Sequence, residues 1–202
     1  MTKKEQTKEK IRAAAYKCVA RYGFEKTTLD DIAKEVGLNK ASLYYYYKNK
    51  EDIFLEITTE ATRRFVDTLQ QSTLAVTGGV EAEIRHFLME RAVYYLNMAA
   101  DIHISEEALR QVEHLFWQQI KDVEAREIRF LTERLDKAAQ NGTLRATDRA
   151  QLARNLIVLS EGIKRAVKER HGDSANLETL RTDIAADLDF MLGLIWRGVL
   201  GV

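Results

Sequence analysis

No proline occurs anywhere in the 202 residues. Proline is the strongest single breaker of a helix interior, so its absence leaves glycine as the main punctuation of the chain. The ten glycines fall mostly between stretches with helical spacing of apolar residues, and strand-like alternation is hardly visible. The spacing predicts an all-α protein.

The first helix carries Ile11, Ala15, Cys18 and Tyr22 on one face and ends near Gly23. Thr28 opens a second, with Asp31 three residues on to complete a capping-box-like pair, and Leu29, Ile32, Ala33 and Val36 form its buried stripe. Gly37 supplies the left-handed residue of a tight turn, and Asn39 caps a third helix. Asn49, with Asp52 three later, caps a fourth that runs through Phe54, Ile57 and Phe65 towards Leu69. Beyond Gly78-Gly79 a fifth helix turns Ile84, Phe87, Leu88, Tyr95 and Met98 inward. A shorter segment starts near Ser105, followed by a long helix from Phe116 through Leu135 to a carboxy-terminal cap at Asn141-Gly142. Two regular helices close the chain, one from about Asp148 to His171-Gly172 and one from about Asn176. The expected division is a three-helix domain over residues 1–50 and a larger helical domain over 51–202.

Lysine and arginine balance aspartate and glutamate over the whole chain, 31 against 31. The balance hides a polarity. Residues 1–50 hold 12 basic against 6 acidic side chains, so this quarter is +6 and the remainder −6. A basic end on an acidic body gathers at one place the charge that phosphates attract. No apolar run reaches the length of a membrane span, the amino terminus leads into charge rather than a signal-peptide core, and the single Cys18 suits a reducing cytoplasm. Cys18 is expected to be packed and inert.

Residues Thr28 to Tyr47 meet the physical requirements of a helix-turn-helix: two short helices, a glycine-containing turn, and Ile32, Ala33, Val36, Leu38 and Leu43 to pack the pair. With Leu43 inward, Lys40, Ala41, Ser42, Tyr44, Tyr45 and Tyr46 are left outward. Such a short helix, bearing hydroxyls and a cation, is what a DNA major groove accepts. Tyr44 to Tyr47 cannot all share one helical face, so at least one is buried support.

Periodicity alone does not separate this pattern from any helical hairpin with one glycine, but the ordered residues do. Tyr22-Gly23-Phe24, Thr27-Thr28, Asp31-Ile32-Ala33, Val36-Gly37, Ser42-Leu43-Tyr44, Tyr47 and Lys48-Asn49-Lys50-Glu51-Asp52-Ile53-Phe54 stand at fixed spacing. The segment Ile11 to Phe54 thereby resembles the amino-terminal domain of the TetR family, the tetracycline-repressor-like regulators. The resemblance implies a DNA-binding transcriptional regulator, a repressor released by a small effector, acting as a homodimer on double-stranded operator DNA.

It also implies roles. Thr28 would meet a phosphate at the start of the second helix. Asn39, Lys40, Ala41 and Ser42 would open the recognition helix against base edges and phosphates. Tyr44 and Tyr45 would contact phosphates, sugars or thymine methyls, Tyr46 a base or phosphate, and Lys50 a phosphate; Tyr47 is packing. The last two helices, about 148–170 and 176–198, would pair with their copies. Phe87, Tyr94, Tyr95, Met98, Phe116, Trp117 and Ile120 form an aromatic-rich set suited to a flat or lipophilic effector, or else ordinary core.

Two other classes compete. A protein-interaction adaptor that keeps the fold without DNA has no need of Lys40, Tyr44 and Lys50. For an enzyme there is no serine nucleophile motif, no phosphate loop and no metal constellation; His86, His103 and His114 match no compact ligand spacing. No cofactor or metal is expected.

Overall fold

The computed structural model describes residues 2–102, 106–142, 148–172 and 175–199, with backbone alone for 99–102, 106–119 and 199. Among the described residues the chain is helical throughout and contains no strand. The order is α1 (Lys3–Tyr22), α2 (Leu29–Val36), α3 (Lys40–Tyr46), α4 (Lys50–Leu74), α5 (Val80–Ile102), α6 (Glu106–Gln140), α7 (Arg149–His171) and α8 (Leu177–Val199). None of the described helices is long and apolar enough to cross a membrane.

Two compact units form, one from Met1–Arg64 with Met98–Lys121 and one from Phe65–Asn97 with Asp122–Val202. We call them the head and the body. In the head, α1 packs on α2 and α2 on α3. Its core gathers Ile11, Ala15, Cys18, Phe24, Ile32 and Leu43 with Ile53 and Phe54 of α4. Burial pushes the Cys18 thiol above its ordinary range, which suits a packed residue. Tyr22, expected on the buried face of α1, is 46% exposed. Gly23 leaves the helix at φ 79°, and the following Phe24 takes the core position instead.

The body core draws on Ile84, Phe87 and Leu88 of α5, Leu131 and Leu135 of α6, and the apolar stripes of α7 and α8. Its caps lie where local chemistry dictates. Asp148 accepts from the Gln151 amide at 2.9 Å, Asn176 from the Thr179 amide at 2.8 Å, and Gly142 turns the chain at φ 71°.

One expectation is corrected. The short segment near Ser105 and the long helix after it are a single helix from Glu106 to Gln140. That stretch contains neither glycine nor proline, so nothing in it interrupts the backbone ladder. The side chains of Phe116 and Trp117, together with His103 and the side chain of His114, lie outside the described residues.

Candidate nucleic-acid interface

The helix-turn-helix is held by contacts three residues long. The Thr28 hydroxyl accepts the Asp31 amide at 3.2 Å, while the Thr28 amide donates to the Asp31 carboxylate at 3.0 Å. The same hydroxyl donates to that carboxylate at 2.6 Å. This closed capping box holds the Asp31 carboxyl below its ordinary range, through the hydroxyl bond first and the amide second. At the other end Gly37 adopts φ 73°, with Leu38 N–H bonded to Ala33 O at 2.9 Å and Gly37 N–H to Lys34 O at 3.2 Å. That pair of bonds is a Schellman stop, and only a residue tolerant of positive φ completes it without strain. Asn39 then starts α3 by accepting the Ser42 amide at 2.8 Å.

Leu43 is wholly buried and anchors α3 to the head core. The opposite surface is open: Lys40, Ala41, Tyr44 and Tyr45 are exposed, Tyr45 at 72%, and Ser42 is half-buried. The Lys40 ammonium rests 3.0 Å from the Asp30 carboxylate, a surface pair that a stronger anion can displace. Tyr46 divides its surface, packing partly on the core and standing edge-on to Tyr45 with centroids 5.1 Å apart. Tyr47 is the buried tyrosine, and its hydroxyl donates to Glu56 of α4 at 2.9 Å.

Glu56 was not singled out from the sequence, yet it collects Lys8 at 3.0 Å, Arg12 and Tyr47 at one carboxylate. Burial alone would raise its pKa. The bonds from Lys8 and Tyr47 and the charge of Arg12 outweigh that and hold it below the ordinary carboxylate range. A second unforeseen contact sets the Lys4 ammonium 5.7 Å from the Tyr45 ring centroid, bringing the first turn of α1 beside α3. Neither carries a short-range signal, because the partners lie 44 and 41 residues apart in sequence.

The model of the bacterial regulatory proteins of the tetR family matches residues 11–57, a stretch within this head. Over these residues the chain is similar to the amino-terminal domain of the TetR family. The negative transcriptional regulator IcaR of a Staphylococcus epidermidis biofilm operon is 44% identical over 62 residues, 31% of this chain. The match spans about a third (34%) of that relative's length. The fatty acid metabolism regulator protein of Bacillus subtilis is 24% identical over 78% of this chain and 80% of its own. Among solved structures, a transcriptional regulator from Cytophaga hutchinsonii superposes with a TM-score of 0.75, at 21% identity and covering 96% of this chain and 98% of that one. The fatty acid degradation regulator FadR from Bacillus halodurans gives 0.67 at 20% identity, covering 93% and 95%. Each of these proteins is named as a regulator.

Of the proposed effector residues, Phe87, Tyr94 and Tyr95 belong to the body, and the side chains of Phe116 and Trp117 lie outside the described residues. Phe87 is sealed in the body core, 5.4 Å from Phe130 between ring centroids. Tyr94 stacks on Phe65 at 3.7 Å, with Tyr95 edge-on to Tyr94 at 5.3 Å. Met98 and Ile120 fall in the stretch assigned to the head, Met98 half-buried and Ile120 exposed. A body groove of about 490 Å³ lies elsewhere, between Asp67, Gln70 and Leu74 of α4 and Phe130, Glu133 and Arg134 of α6.

The body also holds a buried ion pair. Arg91 of α5 donates to Glu127 of α6 at 2.9 Å, and Tyr95 lies under the guanidinium at 4.9 Å. Arg91 reaches Glu161 at 3.4 Å as well, and Lys164 closes on Glu161 at 2.6 Å. Glu127 is fully buried, and its Oε1 has no hydrogen-bond partner among the described residues. Burial pushes its carboxyl above the ordinary range despite Arg91.

Proposed function

We propose that this protein is a homodimeric, sequence-specific DNA-binding transcriptional regulator. The observation that carries the reading is the exposed face of α3, where Lys40, Ala41, Tyr44 and Tyr45 stand out from a helix pinned by Leu43 on the basic quarter of the chain. Such a helix enters the major groove with its first turn against base edges. Lys40 and Ser42 donate there, Ala41 offers a methyl to thymine, and Asn39 closes the turn that aims them. Tyr44 and Tyr45 reach phosphates with their hydroxyls, and Thr28 brings the start of α2 to another. Tyr46 acts mainly by supporting Tyr45.

Two such helices must reach grooves ~34 Å apart, which requires a dimer. Val158 of α7 and Phe190 and Leu194 of α8 are exposed large apolar side chains on the two helices assigned to pairing, Phe190 at 67%. Gly162 and Gly193 have open space where a side chain would stand, as a surface built for close helix approach does. Repression follows IcaR, a relative named as a negative regulator, and control by a small, aromatic or lipophilic effector of the body follows the relative named for fatty acid metabolism. An effector bound by the body would shift the spacing of the two heads.

Selection of bound sequences from random duplex DNA at two salt concentrations tests the reading. The expected result is a palindrome with half-sites about one helical turn apart, weakened by salt. A folded dimer that enriches no sequence would overturn it. Phe190→Asp should give a monomer mass by light scattering and lower operator affinity by about 100-fold or more.

A further inference from the structure

The Lys50 ammonium, expected at a phosphate, is already fully engaged. It donates to the carbonyl oxygens of Phe24 at 2.7 Å, Glu25 at 3.0 Å and Thr27 at 2.9 Å. The Phe24 ring centroid lies 4.6 Å away. An ammonium has three N–H donors, so these carbonyls take all of them. Resting on the DNA-binding reading above, we infer that Lys50 is a positioning residue: it orients the start of α2 by holding the turn between α1 and α2, and does not itself contact DNA.

The geometry carries this in three steps. Lys50 is the first residue of α4, and its placement is fixed by Asn49, whose side chain accepts the Asp52 amide at 2.7 Å. The turn it grips is packed from within: Phe24 and Thr27 are buried, Phe24 meets Phe54 of α4 edge-on at 5.0 Å, and the Thr27 hydroxyl donates to Gly23 O at 2.8 Å. Thr27, whose carbonyl Lys50 holds, precedes Thr28, the cap of α2. The direction of the α2 amides, and of α3 packed on α2, is therefore set from α4. Moving the ammonium to a phosphate would strip donors from carbonyls in a largely buried turn. Lys40 differs, since it is engaged in an exposed pair with Asp30.

The test compares Lys50→Met, which keeps an unbranched stem, and Lys50→Arg with Lys40→Ala as a contacting control. Each is titrated against the selected operator and an unrelated duplex over a range of salt, below its unfolding temperature. A residue that contacts a phosphate contributes about 0.9 to the slope of log affinity against log salt. For Lys50→Met the expected result is a slope equal to wild type, with operator affinity reduced roughly tenfold or more and affinity for unrelated DNA nearly unchanged. Lys50→Arg should fail to restore the operator preference, because the larger planar guanidinium cannot replace a compact ammonium at the point where three carbonyls converge. A slope reduced by about 0.9, with equal loss on both duplexes, would overturn the inference.

Nuclear magnetic resonance of the wild-type lysine ammonium groups gives a readout that needs no variant to fold. The Lys50 ammonium should exchange slowly with water in the free protein and keep its chemical shift when operator is added. Fast exchange in the free protein, or a shift on binding, would sink the inference. If wild type binds no duplex at all, the DNA-binding reading fails, and slow exchange still decides whether the turn is held.

Discussion

Each unit contains a glutamate set among cations, and the two are housed in opposite ways. Glu56 in the head is half-buried and receives Lys8, Arg12 and Tyr47, from α1 and the end of α3. Glu127 in the body is fully buried, paired with Arg91 through one oxygen while the other has no partner among the described residues. In the head the donors outweigh desolvation and the charge is favoured; in the body desolvation outweighs the single partner. Polar contacts in the head thus tie short helices together. The body's cohesion comes from its apolar cluster, within which the ion pair is under strain from burial.

The largest test of that contrast removes the cation paired with Glu127. Arg91→Ala should lower the free energy of unfolding by about 3–5 kcal/mol, read from urea denaturation, because a buried carboxylate is left alone. The double change Arg91→Met with Glu127→Leu should recover most of the loss, since an apolar pair of similar volume needs no desolvation. A loss below about 1 kcal/mol for the single variant would mean that Glu127 is already neutral in the native protein and that the pair is not ionic.

The same contrast explains what could be read in advance. The caps Thr28–Asp31, Asn39–Ser42 and Asn49–Asp52 each close within three residues, so the sequence names both partners. Gly37 at positive φ and Leu43 inward follow from equally local reasoning, and with them the exposed face of α3. The three carbonyls that Lys50 meets lie 23 to 26 residues away, beyond the reach of local pattern. Backbone acceptors leave no mark on side-chain pattern. Tyr22 sits on the helical stripe of α1 yet turns out, because Gly23 ends the helix there and periodicity does not see the end of its own element. In the body an aromatic set reads alike whether it lines a pocket or fills a core, and Phe87 proved to be core.

A smaller effect should come from the head's local bonds. Thr28→Ala removes the cap that satisfies the first amides of α2, at about 1 kcal/mol. Thr28→Ser should restore it, as the serine hydroxyl can make both bonds to Asp31. Melting curves of the three proteins measure this. Equal stability of Thr28→Ala and wild type would mean that packing on α1 and α3, rather than the capping box, fixes the start of α2.

The least effect, and the sharpest on the comparison, is in the pH dependence of stability. The native pKa of Glu56 lies below the ordinary glutamate value of 4.5, so the unfolded chain takes up its proton first as pH falls. Its contribution is present above that value and is lost as pH falls through the native pKa. Glu127 runs the other way. Its native pKa lies above 4.5, so the unfolded chain releases its proton first as pH rises. Its contribution is full below that value and is lost as pH rises through the native pKa. Urea midpoints at a series of pH values should therefore change oppositely in two variants. Glu56→Gln should reduce the loss of stability on the acid side, and Glu127→Gln should reduce the loss as pH rises above 4.5. Changes of the same sign would show that the two carboxylates share one electrostatic environment, and the contrast between donor-rich head and desolvated body would fall.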